Sequence, residues 1–136
     1  MTWESLRSGS VIRYPYLWAR QHKAGETEGR KLRPSAVGLR INRPRGDILL
    51  LFPITTSPPQ AGKWAVEVPE MEKHRAGLDT DTRQWIMLDE ANADVVGGSF
   101  YLEPEPPTGE FSRAFFGPLM QQVIAKMTEI EKIPRR

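Results

Sequence analysis

The stretch DILLLFPITT, residues 47–56, decides the fold. Five large apolar side chains follow one another from Ile48 to Phe52, so neither face of the segment is polar. Turn residues bound the run on both sides, and it is far too short to span a membrane. It therefore reads as a central strand buried on both faces. Pro53 cannot donate to a ladder and predicts a bulge or strand end at that point. Ser57-Pro58-Pro59 then breaks the strand.

Working outward, Arg43-Pro44-Arg45-Gly46 is a turn, and Ser35 to Ile41 is a second strand that alternates and follows Pro34. Val11 to Tyr14 is the first strand, halted by Pro15, with Tyr16 to Ala19 as a continuation. Residues 20–32 are polar and glycine-bearing and read as a long loop. Downstream, Lys63 to Val68 alternates strictly, with Trp64, Val66 and Val68 on one face. Pro69 to Leu78 is a short helical turn, Gln84 to Leu88 a strand, and Ser99 to Leu102 a last extended piece. Phe115, Phe116, Leu119, Met120, Val123, Ile124 and Met127 then recur at helical spacing and form one apolar face. Ser112 is the candidate cap, and Gly117-Pro118 offers a later start. The expected core contains Ile12, Val37, Leu49, Leu51, Ile54, Val66, Ile86, Leu88, Phe116 and Val123.

A chain of 136 residues fits one domain, and 12 prolines with 11 glycines favour turns over long helices. The expected architecture is therefore mainly β: a bent, mostly antiparallel barrel of five to seven strands closed by a C-terminal helix. Cysteine is absent, which excludes disulfides, thiolate catalysis and cysteine zinc sites. No export signal and no membrane-length apolar run occur, so a cytoplasmic protein without membrane contact is expected.

Charge is unevenly spread. Residues 1–46 hold ten Lys/Arg against three acids, and the remainder nine against fourteen, so the two parts carry +7 and −5. Such a basic segment is either a phosphate-binding surface or a set of solvated hairpin edges. His22 and His74 lie far apart and read as ordinary surface residues rather than an acid–base pair. No phosphate loop, nucleophile elbow or zinc helix is present. Asp79/Asp81 and Asp89/Glu90/Asp94 read more simply as solvated turns than as an oxygen metal site. Neither a metal nor a cofactor is expected.

Two motifs remain: Arg30-Lys31-Leu32-Arg33-Pro34 before the second strand, and Pro53-Ile54-Thr55-Thr56 at the end of the third. In this order they resemble the PemK/MazF toxins of toxin-antitoxin systems, which pair a Gly-x-x-Arg-Pro lead with a Pro-Ile-Thr. Val68-Pro69, Leu88-Asp89-Glu90 and the apolar C-terminal helix extend the likeness over about residues 8–130. The resemblance implies an SH3-like barrel of the PemK/MazF/CcdB type and a symmetric homodimer. It also implies metal-independent cleavage of single-stranded RNA and neutralisation by a cognate antitoxin. By position it makes Arg33 and Thr55 catalytic. A guanidinium offers two-pronged donors to a phosphate as charge develops on it, and a nearby hydroxyl can donate or orient. Arg30 and Lys31 then become auxiliary phosphate contacts, with Thr56 beside them. Tyr16 is a candidate base platform, and Trp18 is either a platform or a core residue. Glu90 and Asn92 stand where relatives often carry Gln and Arg, and so fall at the RNA. The competing reading is a non-catalytic barrel that binds protein or nucleic acid, including a gyrase poison or an inactive family member. The ending Ile-Pro-Arg-Arg lacks the aromatic-Gly-Ile terminus of the gyrase poisons.

Overall fold

The structure is a computed structural model that describes residues 5–29, 31–98, 101–102 and 105–135. β1 (Ser10–Tyr14) leads through α1 (Ala19–Lys23) to β2 (Arg33–Ile41) and β3 (Ile48–Thr55). β4 (Ala65–Glu67), α2 (Glu70–Arg75), β5 (Trp85–Met87) and β6 (Glu90–Val95) follow. β7 (Gly109–Glu110), α3 (Arg113–Ala125) and β8 (Glu131–Pro134) complete the order. The result is mainly β: a curled, half-closed sheet in the order β4-β5-β3-β2-β1-β7, with β6 on β3 and β8 on β6. Every pairing is antiparallel except β6 with β8.

β3 organises the sheet because its two faces are both covered. Leu50, Phe52 and Ile54 pack with Phe116, Leu119, Met120 and Val123 of α3. Leu49 and Leu51 point the other way, into a cluster with Ile12, Tyr14, Tyr16 and Val37. This double burial explains the uninterrupted apolar run, and each fully buried leucine contributes about 1.5–3 kcal/mol. One edge of β3 pairs with β2 from Ile41↔Ile48 to Ser35↔Pro53. The other edge pairs with β6 as far as Leu51↔Asn92 and then with β5 at Ile54↔Ile86 and Thr55↔Trp85. Pro53 thus falls where the partner changes, which is where a missing donor is tolerated. The register shift lies across the ladder instead, between Val37 and Leu39. A Cβ at the intervening Gly38 would sit 2.2 Å from the Phe52 ring, so only glycine fits under that aromatic.

All ten expected core residues are buried except Val66, which is half-buried on the short β4. Other expectations need correction. Residues 20–32 are not one loop, because α1 occupies their start. α3 begins at Arg113 rather than Pro118, since the Ser112 Oγ accepts the Phe115 N–H at 3.2 Å and caps the helix. Glu90 and Asp94 lie in a strand, not a turn; Asp94 is fully buried and accepts the Tyr14 hydroxyl. Tyr101 and Leu102 are not in a strand, and residues 99 and 100 lie outside the described residues. β6 and β8 were not expected at all. No helix among the described residues is long and apolar enough to cross a membrane.

Candidate functional site

The β2–β3 ladder ends at Ser35↔Pro53, with Arg33 two residues beyond it on one strand and Thr55 two residues beyond it on the other. Both line one open cleft of about 600 Å³ at that end of the sheet, although 21 positions separate them in sequence. Lys31, Thr56, Trp18 and Glu90 line it too. Two segments that look unrelated in sequence are thus joined by strand register.

Trp18 forms one wall. Its ring is buried, and the guanidinium carbons of Arg20 and Arg33 lie 5.0 and 5.2 Å from its centroid. Neither arginine forms an ion pair among the described residues. Burial, and then the neighbouring Arg20 charge, pulls the Arg33 guanidinium below its usual pKa. It stays protonated, since an arginine starts from so high a value. Two like charges on one aromatic platform, with no carboxylate bound to either, make a strong attractor for an anion.

The other cations of the cleft are partly committed. Lys23 pairs with Glu131 at 3.4 Å, and Lys63 with Asp89 at 3.8 Å. Buried side-chain polar atoms without a hydrogen-bond partner include Trp18 Nε1, Arg33 Nε and Asp89 Oδ1, all on residues lining this cleft. Such groups cost stability and concentrate where a ligand supplies the partner.

Thr55 is almost fully buried, and its Oγ1 accepts the Ser57 N–H at 3.1 Å, which leaves the hydroxyl proton free to donate. Glu90 is half-buried. Its Oε1 accepts the Ala19 N–H at 2.9 Å and the Tyr16 hydroxyl at 3.0 Å. Burial pushes its carboxyl pKa up against the pull of those donors, and the adjacent Asp89 adds to the rise.

Two expected contacts take other roles. Tyr16 is 1 % exposed and offers no ring face to a base; its hydroxyl holds Glu90 instead. Asn92 is fully buried and is not among the residues that line the cleft. Its Oδ1 accepts the Leu17 N–H at 2.9 Å and Arg135 Nη1 at 2.9 Å, while Nδ2 donates to the Leu17 carbonyl at 2.8 Å. It fixes the chain between β1 and α1, and has no surface to present to RNA. Arg30 lies outside the described residues. His22 and His74 are exposed and outside the cleft. Arg20 is a cleft residue that no motif in the sequence singles out.

No protein-family model, curated protein or solved structure matches the chain.

Proposed function

We propose that the protein is a metal-independent endoribonuclease that cuts single-stranded RNA in this cleft. In this reading it is a cytoplasmic toxin of the PemK/MazF type on an SH3-like barrel, neutralised by a cognate antitoxin. The carrying observation is the pair of unneutralised guanidiniums, Arg20 and Arg33, on the Trp18 platform in the cleft that also holds Thr55.

The chemistry follows from these groups. The ribose 2′-oxygen attacks the adjacent phosphorus, the bond from phosphorus to the 5′-oxygen breaks, and a cyclic phosphate and a 5′-hydroxyl result. Arg33 binds the non-bridging oxygens and neutralises the charge that builds on them, the largest contribution a fixed donor can make. Arg20 supplies a second positive charge and Lys31 a third. The Thr55 hydroxyl donates to a phosphate oxygen. Glu90, whose proton affinity burial raises, accepts the 2′-hydroxyl proton, and water protonates the leaving oxygen. Trp18 is buried and both guanidiniums lie over its ring, so its part is to align them rather than to stack freely on bases.

A homodimer with a twofold axis belongs to the same reading, because one small barrel offers a short groove. The test is incubation of the purified protein with single-stranded RNA in excess EDTA. Fragments ending in a cyclic phosphate are expected. Cutting only with added Mg²⁺ would transfer the chemistry to the cleft carboxylates Asp89, Glu90 and Glu131. No cutting under either condition would leave a binding protein.

A further inference from the structure

We propose that the RNA strand continues past Arg33 into a second cleft, which holds the neighbouring nucleotides of the same strand. This inference rests on the ribonuclease reading and adds a binding subsite to it. The second cleft has a volume of about 390 Å³ and shares Lys31, Arg33 and Thr56 with the first. The two depressions are therefore one track with Arg33 at its middle. A phosphate bound there has chain on both sides.

The lining suits a single strand. Arg13 is exposed at the cleft, beside Pro34 across the β1–β2 ladder, and forms no ion pair among the described residues. Asp79 is the one acid among the described lining residues, and both its oxygens already accept hydrogen bonds. Its Oδ1 accepts the Asp81 N–H at 2.9 Å and its Oδ2 the Thr82 hydroxyl at 2.8 Å. Three cations thus face the track against one committed carboxylate. Leu32, 52 % exposed, stands with Pro34 and Leu78 as an apolar wall. A flat base has a surface to lie on while Arg13 and Lys31 meet the phosphates. A duplex presents no free base faces to such a wall.

The test uses 2′-O-methyl RNA, which lacks the attacking hydroxyl, as mixed-sequence strands of about four and about twelve nucleotides. Fluorescence anisotropy compares wild type with Arg13→Ala and Leu32→Ser, both exposed positions whose change leaves the fold intact. Each variant should bind the long strand several-fold more weakly while binding the short strand much as wild type does. Arg13→Ala should also flatten the salt dependence by about 0.7 in log K against log salt, as for one lost phosphate contact. Equal affinity of wild type and variants for the long strand would overturn the inference. If wild type cuts RNA but the variants match it, the second cleft alone is refuted. If wild type neither binds nor cuts RNA, the ribonuclease reading falls and the inference with it.

Discussion

The Arg33 guanidinium carbon lies 5.2 Å from the centre of the Trp18 ring, on the platform that also carries Arg20. An arginine at the end of a strand would ordinarily sweep through solvent. Here the indole restricts it, while β2 fixes its backbone against Tyr14 of β1. Alignment before the substrate arrives is what makes a cationic donor useful to a transition state.

Trp18→Ala should therefore weaken RNA binding more than Arg20→Ala, because it releases both guanidiniums. Each contact is worth about 0.5–2 kcal/mol. Trp18→Phe keeps an aromatic face and should retain most of the affinity. Titrations over a salt series test this, with Arg45→Ala on the distal turn as the control. Wild-type affinity in Trp18→Ala would show that the platform is incidental.

Glu90 carries a pH prediction. Its carboxyl is raised in the folded protein, so the charged form is disfavoured there relative to the unfolded chain. The associated stability is present below the ordinary glutamate range and is lost as pH rises through the raised value. Glu90→Gln keeps an acceptor for Ala19 and Tyr16 and should be more stable than wild type at neutral pH. That advantage should shrink on acidification. Asp47, Glu67 and Asp79 are shifted the opposite way by their hydrogen bonds, and lose their contribution as pH falls. They are common to both proteins and cancel in the difference. Melting temperatures across pH 4 to 8, roughly the span around an ordinary carboxyl, decide it. Glu90→Gln should also cut RNA slowly at every pH.

Asn92 makes a purely structural prediction. Asn92→Ala strands the Leu17 N–H and carbonyl and one Arg135 donor in the interior. Each buried group left unsatisfied costs about 1–3 kcal/mol, so denaturant midpoints should fall sharply. Because Leu17 adjoins Trp18, RNA affinity should fall as well. A stable Asn92→Ala variant with weak binding would restore Asn92 to the RNA contacts.

The legible parts of this protein are those with one dominant local signal. Ile48 to Phe52 show a buried strand because both faces need apolar side chains, and α3 shows its stripe because one face packs on the sheet. Arg33 and Thr55 came into view through motif order, and strand register then explains why they share a cleft. β6 was hidden because its buried positions include Asn92 and Asp94, polar residues satisfied by partners roughly 75 and 80 positions away in sequence. α1 has five residues, too few for a helical period to stand out. β8 ends beside Arg135, which is 3 % exposed and whose guanidinium donates to Pro15 and Asn92. Nothing local in Lys-Ile-Pro-Arg marks such an arginine as interior.

The most direct test of the central claim is single-turnover cleavage of single-stranded RNA in excess EDTA by wild type and Arg33→Ala side by side. Circular dichroism should be unchanged and stability lowered by no more than the lost Trp18 contact, about 0.5–2 kcal/mol. The rate should fall by about 10²–10³, the loss typical of one oxyanion-type donor. Thr55→Ala should lie between the two. Undiminished cleavage by a folded Arg33→Ala protein would contradict the account.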